Sequence, residues 1–327
     1  MDWNSIFGLS AGELIGASTA AYVLCALGLS MHFGYTGLLN FGQAAFAAIG
    51  GYGFSIAHLT LGLSLFPSVG FALLCSALFA VLLGIPTLRL RADYLAIVTI
   101  AAAQVFKFTV ATSGLSWLTG GADGLAGFTD EFYSLNPIPE GDINLGVVSL
   151  TNRQVWVALV GWVLVALAAT LIYFLLRSPW GRVLKGIRED EDAVRALGKN
   201  VFSFKMQALV LGGLMASLGG IIFVITSSTI QPATWGTNFT FMIWTVLLLG
   251  GAATIMGPIV GGMIFFVLLM FTQNLLAGLV EIGWLPFLTI SQVGQIRFIF
   301  IGLALMLLVI FRPQGIFGNK KETFFNV

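Results

Sequence analysis

Charge is what this chain has little of. Of its 327 residues, 9% are Asp, Glu, Lys or Arg, against about 25% in soluble domains. None of the four occurs from residue 14 to residue 88. With 58% hydrophobic residues and a mean hydropathy of +0.97, a soluble fold would need a dry interior larger than a chain of this length encloses. Cysteine is scarce too. Cys25 and Cys75 both sit in apolar stretches and read as small core residues, not as a disulfide. The two histidines, His32 and His58, fall at opposite ends of the first helical hairpin and read as interfacial side chains. A net charge of +1 carries no signal for nucleic acid. No metal spacing, nucleophile–base pair or dinucleotide fingerprint stands out, so neither an enzyme nor a cofactor is expected. The phosphate-binding pattern G-x-x-x-x-G-K-S/T is missing as well. At Gly198-Lys199 the residue five before the glycine is Ala193, and Asn200 follows the lysine.

Long apolar runs are what the chain has instead. They predict an all-α polytopic membrane protein, a single transmembrane domain over residues 1–327, with about nine spans of about 20 residues each. The spans fall near 14–33, 38–60, 66–86, 92–113, 154–176, 206–228, 240–255, 258–280 and 298–311. The seventh and ninth are short, which suits tilted, re-entrant or broken helices. A β-barrel would show short alternating segments. The first thirteen residues lack Lys and Arg, so residues 14–33 read as a retained span and not a cleaved signal.

The bases set the orientation. Arg89 and Arg91 follow the third span, seven bases fill the loop after the fifth, and Arg312, Lys320 and Lys321 follow the ninth. Nine spans with the N-terminus outside put all of them, and the C-terminus, on the cytoplasmic side. The other side carries Asp2, Glu13, Asp123, Asp130, Glu131, Glu140, Asp142 and Glu281, against Arg153 and Arg297. The outer loop, about 114–153, holds a Gly-rich turn at 119–124 and two X-Pro turn signals, Asn136-Pro137 and Ile138-Pro139. It reads as a solvated connector or as a docking rim.

Within the predicted spans the charges are Asp93, at the cytoplasmic edge beside Arg91, and Lys107, about 21 Å further up the helix, where it snorkels outward. Ion and proton pumps place ionisable residues near the midplane. Here that region is empty, so uphill transport would draw its energy from elsewhere. The second span opens with GYTGLLNFGQ at residues 34–43. Glycines and side-chain amides in a membrane segment predict an interrupted helix, whose freed backbone faces protein or a water-lined cavity. Transporters bind solutes at such breaks. Asn40 and Gln43 therefore line a solute path or form an interhelical amide bond. Thr99, Gln104 and Thr245 are further path candidates. The rows Gly212/Ala216/Gly220 and Gly257/Gly261 read as helix packing, and residues 250–258 as a tight cytoplasmic turn.

Residues 177–205 gather seven of the fifteen bases and four of the fourteen acids between charge-free runs. They predict two short helices. Ser178-Pro179 starts the first, the acids 189–192 cap the second, and Gly198 ends it. Val183, Ile187, Val194, Leu197 and Val201 form an apolar stripe that suits a partner's groove or a solvated loop lying against the membrane.

The segment Asp192-Ala-Val-x-x-x-Gly198 resembles the E-A-A-x-x-x-G coupling loop of ABC importer permeases. Wider stretches resemble one family, the permease subunits of branched-chain amino acid ABC importers: GYTGLLNFGQAAF at 34–46, LRLRADYLAI at 88–97, TGGADG at 119–124, SPWGRVLKGIREDE at 178–191, LGGA at 249–252 with Gly257-Pro258, and FRPQG at 311–315. The resemblance covers residues 20–318. It implies a bacterial inner-membrane assembly of this chain with a second, non-identical permease, two cytoplasmic ATPases and an extracytoplasmic binding protein. It also implies that Arg188, Glu191, Asp192, Val194, Arg195, Leu197 and Gly198 meet an ATPase, with Val194 and Leu197 as apolar anchors and Arg188, Glu191 and Arg195 as the rim. Branched-chain or similar aliphatic amino acids are the implied cargo. Urea and short amides are alternatives within the family; a passive channel and a membrane scaffold are alternatives outside it.

Overall fold

The computed structural model describes residues 3–139, 141–144, 149–284, 289–312 and 314–318. Its helices are α1 Trp3–Gly12, α2 Ala17–Leu29, α3 Gln43–Leu59, α4 Leu65–Thr87, α5 Ala92–Ala111, α6 Ser116–Thr119, α7 Asp130–Ser134, α8 Asn152–Arg177, α9 Pro179–Glu189, α10 Glu191–Ala196, α11 Val201–Ser227, α12 Thr237–Gly250, α13 Met256–Glu281 and α14 Ile290–Phe311. Every predicted span overlaps one of them. Among the described residues, six segments are long and apolar enough to cross a membrane: residues 17–34, α4, α5, α8, α11 and α13. With 17 and 14 residues, α3 and α12 fall short of the usual span.

Three expectations are corrected. The ninth segment is not short, because α14 runs for 22 residues. An unpredicted helix, α1, precedes the first span and touches α13 through Phe7 and Phe271, whose ring centroids are 5.7 Å apart. The all-α reading also misses four short strands among the described residues, β1 Leu125–Ala126, β2 Asp142–Asn144, β3 Ser149–Thr151 and β4 Thr229–Ile230. They form two antiparallel ribbons, β1 with β4 and β2 with β3. The first of these ties the loop between α5 and α8 to the end of α11.

α2 and α11 form the hub. Both are mostly buried, whereas α4, α5, α8 and α13 bury one face and leave the other apolar and open. Phe66, Leu82, Val105, Phe108, Leu167 and Phe174 are all exposed, a surface suited to lipid or a second subunit and not to water. Small residues let the hub close. A Cβ on Gly28 would stand 2.3 Å from the Gly212 carbonyl, and one on Gly220 would stand 1.9 Å from the Ala47 carbonyl. The row Gly212/Ala216/Gly220 thus packs α11 on α2 and α3. Gly261 brings α13 equally close to α12, with 2.3 Å from its ideal Cβ to the Val246 carbonyl.

The predicted basic regions meet at one end. A cavity of about 820 Å3 is lined by Arg89 and Arg91 from the α4–α5 turn and by Arg195, Lys199 and Lys205 from the loop around α10. Beyond Arg312, residues 314–318 dock on the α12–α13 turn, with Ile316 N–H donating to Leu249 O at 3.0 Å and Phe317 N–H to Gly250 O at 2.8 Å. At the opposite end His58 lies 3.6 Å from Glu131. Asp2, Glu140, Lys320 and Lys321 lie outside the described residues.

Candidate functional site

The interrupted helix is present. α2 widens into a π-turn over Ser30–Gly34, residues 37–42 carry no helix, and α3 resumes at Gln43. Inside the break is a closed polar network. His32 is fully buried and not interfacial as expected, because the π-turn aims its ring into the hub. Its Nε2 lies 3.0 Å from the Leu209 carbonyl. A carbonyl only accepts, so Nε2 carries the hydrogen and Nδ1 is the acceptor. Asn40 Nδ2 supplies the donor to Nδ1 at 3.0 Å and also donates to Gln43 Oε1 at 3.1 Å. Asn40 Oδ1 accepts from Gly42 N at 2.8 Å, and Gln43 Nε2 donates to Cys25 O at 3.1 Å. Asn40 and Gln43 are fully buried, and their side-chain partners are protein groups.

Two flanking helices strap the break. On one side α5 offers Thr99, whose hydroxyl accepts from Phe41 N at 3.0 Å. On the other, α12 offers Trp244, whose indole N–H donates to Asn40 O at 3.2 Å. The Phe41 ring stacks on Trp244, centroids 4.7 Å apart, and meets Phe241 edge-on at 6.0 Å. Thr245 follows Trp244 and is half-buried; its hydroxyl donates to Phe241 O at 2.9 Å. Gln104 sits further along α5 and donates to the Thr237 hydroxyl at 2.8 Å. The structure therefore bonds Asn40 to Gln43 directly and Thr99 to the Phe41 backbone between them, while the hydrogen bonds of Thr245 and Gln104 go to Phe241 and Thr237. Sequence reasoning missed Trp244, Thr237 and Thr240, whose hydroxyl accepts from Ala44 N at 3.1 Å. None of the five path candidates lines the cavity of about 560 Å3 between residues 8–18 and α8.

The charged loop folds as the two predicted helices. Pro179 occupies the first turn of α9. Asp190 caps α10, its carboxylate accepting from Asp192 N and Ala193 N at 3.0 Å each. Gly198 follows with φ +76°, the left-handed conformation that suits a glycine at a helix end. The apolar stripe, however, divides. Ile187, Val194 and Val201 are buried within the chain, while Leu197 is 79% exposed. Val194 packs back on α9, its Cγ2 3.0 Å from where a Cβ on Gly186 would lie. Arg195 pairs with Glu191 and Asp192 at 2.9 Å each, and Lys205 pairs with Glu191.

Arg188 points the other way. Its Nη1 donates to the Gly34 carbonyl at 2.6 Å, and its stem lies 3.6 Å from the ideal Cβ position of Gly37. Gly34 is also wedged against the α12–α13 turn, 2.6 Å from its ideal Cβ to Ala253 N. The loop, the break and the turn thus meet at one glycine. Among the described residues no group of three or more His, Cys, Asp or Glu is placed to hold a metal.

Comparison with known proteins follows the same boundaries. The family described as "Branched-chain amino acid transport system / permease component" matches residues 14–310. The "High-affinity branched-chain amino acid transport system permease protein LivM" of Escherichia coli (strain K12) is 29% identical over 321 residues, covering 95% of this chain and 71% of that protein. LivH of the same strain, named as a permease protein of the same kind of system, is 24% identical over 325 residues, 92% of each chain. The "Autoinducer 2 import system permease protein LsrC" of Photorhabdus laumondii subsp. laumondii is 31% identical over 107 residues, 31% of this chain and 32% of that one.

Proposed function

The chain belongs to the branched-chain amino acid transport permease family, and on that premise we propose that it is one membrane subunit of an ATP-driven importer for branched-chain or similar aliphatic amino acids. It sits in a bacterial inner membrane, crosses it nine times, and has its N-terminus outside and its C-terminus in the cytoplasm. The shorter helices α3 and α12 complete their crossings with the non-helical residues 37–42 and 251–255. One-sided gathering of the bases supports this orientation.

The partner permease is a non-identical homologue. Two permeases, LivM and LivH, bear the same system name in one organism, which supports that pairing. The exposed apolar faces of α4, α5 and α8 give it room to dock. Two cytoplasmic ATPases supply the energy and an extracytoplasmic binding protein delivers the solute. α10 enters an ATPase cleft, with Leu197 as its apolar anchor and Glu191, Asp192, Arg195 and Gly198 around it.

The solute passes on the open side of the break, past Phe41, Phe241 and Thr245, with Thr99 and Gln104 on the facing helix. Asn40 and Gln43 stand beside the path and hold the break in shape. The observation that carries this reading is the strapped break, whose backbone is held by α5 on one flank and α12 on the other. The LsrC likeness marks cargo as the variable part of the assignment.

The test is ATP-dependent uptake in proteoliposomes holding the chain with its partner permease and ATPases, supplied with binding protein and a panel of leucine, isoleucine, valine, urea and short amides. Accumulation of an aliphatic amino acid that needs ATP supports the proposal. Equilibration without ATP identifies a channel, and no flux of any solute a scaffold; either outcome defeats it.

A further inference from the structure

Arg188 has a use that sequence reasoning did not assign to it. A helix that stops inside a bundle leaves its last carbonyls without partners, at the end where the macrodipole is negative. Here the break serves most of its own. Tyr35 N–H donates to Ser30 O, the Thr36 hydroxyl to Met31 O at 2.8 Å, Leu38 N–H to His32 O at 2.8 Å and Gly37 N–H to Phe33 O at 3.2 Å. The Gly34 carbonyl is served from 154 positions away, by the Arg188 guanidinium at 2.6 Å. A cation capping a helix end is common. A cation reaching a broken span from the loop that docks the motor is a mechanical connection.

Both ends of that connection are built to transmit. α9 is seated firmly, with Leu184 fully buried and Ile187 4% exposed, and Gly181 pressed on the Leu176 backbone, 2.5 Å from its ideal Cβ. Arg188 is two residues before Asp190, the cap of α10, so a shift of α10 reaches its guanidinium with no flexible linker between. Beyond Gly34 the chain runs directly to Asn40 and Phe41, held by Trp244 and Thr99. Packed side chains, hydrogen bonds and rigid elements carry coupling between distant sites, and a series of them runs here from the exposed tip at Leu197 to the two straps.

We infer that Arg188 is the positioning residue that couples α10 to the broken span: its bond to Gly34 lets displacement of the loop by the ATPases move the break against α5 and α12. Arg188 touches no solute in this scheme. It decides how much transport each ATP cycle yields. The inference rests on the ATP-driven reading above. Absence of ATP-dependent uptake in the parent chain sinks that reading, whereas a parental yield in the variants sinks only the role of Arg188.

The experiment measures uptake and ATP hydrolysis on the same proteoliposomes of the full assembly, with Arg188→Gln and Arg188→Lys beside the parent, together with the amount of ATPase that co-purifies. Arg188→Gln is expected to keep its ATPases and to lower solute moved per ATP by roughly tenfold or more, the size that goes with a lost charged hydrogen bond. Arg188→Lys keeps a cation on a shorter, single-headed side chain and is expected to give an intermediate ratio. A residue that only stabilises the fold lowers the yield of assembly and leaves the ratio alone. A parental ratio in Arg188→Gln overturns the inference, and so does loss of ATPase in step with loss of uptake. Should Arg188→Gln not assemble, Arg188→Lys decides the matter: a ratio reduced severalfold supports the role and a parental ratio overturns it.

Discussion

The loop around α10 and the break before α3 are both short interruptions in a bundle of long apolar helices, and they solve opposite problems. In the loop, polar groups stand in water and find partners close by in sequence. Asp190 caps its own helix, and Arg195 pairs three and four residues back. In the break, polar groups are sealed from water and, beside the local bonds among His32, Asn40, Gly42 and Gln43, find partners far away: Leu209, Trp244, Thr99 and Arg188. Exposed pairs contribute about 0–1 kcal/mol each. A buried donor or acceptor left alone costs about 1–3 kcal/mol. The loop can therefore tolerate change at most of its surface and still fold, while the break cannot. That division suits a docking element on the one hand and a precisely held frame on the other.

The largest effect is expected at Leu197. Placed in an ATPase cleft, one Leu contributes roughly 1.5–3 kcal/mol, and an unpaired buried charge in its place costs several more. Leu197→Asp is expected to abolish ATP-driven uptake and ATPase co-purification while the permease still inserts and folds, because this side chain is exposed in the chain itself. Full retention of uptake and ATPase removes α10 from the coupling role. Next in size is Asn40→Ala, which strands His32 Nδ1, Gln43 Oε1 and Gly42 N. The purified permease should unfold at a clearly lower temperature in detergent, by a few kcal/mol at about 1–3 for each group. Unchanged unfolding with lost uptake would instead put Asn40 in direct contact with the solute.

Thr245→Ala probes the open side of the break. It removes a hydroxyl bonded within α12 alone, so thermal unfolding should be close to parental while uptake falls up to about tenfold, the worth of one polar contact. Parental uptake would move the path away from α12. The smallest effect is expected for Arg195→Ala, whose pairs are exposed. ATPase retention should change by less than about 1 kcal/mol, and a loss as deep as that of Leu197→Asp would make Arg195 an anchor and not a rim.

The loop was legible in the sequence because its determinants are local. Ser178-Pro179, the acids before Ala193, and Gly198 are capping signals that work within a few residues, and the structure uses each where it stands. The interruption at 34–43 was legible for the same reason, from its glycines and amides. What escaped was everything set by residues distant in the chain. The stripe from Val183 to Val201 has helical spacing whether it faces a partner or its own bundle, and only packing separates buried Val194 from exposed Leu197. His32 reads as interfacial until a π-turn rotates it into the hub. Arg188 is one base among seven in its loop, and nothing near it in sequence names Gly34 as its acceptor. The ribbon between β1 and β4 pairs two-residue strands more than a hundred positions apart, below the length at which alternation is visible.

Coupling as proposed requires the tip of α10 to lie in a cytoplasmic ATPase. A single cysteine in place of Leu197, in a chain with Cys25 and Cys75 replaced, tests this directly. In spheroplasts the cysteine should resist an impermeant thiol reagent added outside, and in opened membranes a short bifunctional cross-linker should join it to an ATPase subunit. Labelling from outside, with no ATPase captured, would contradict both the orientation and the coupling role.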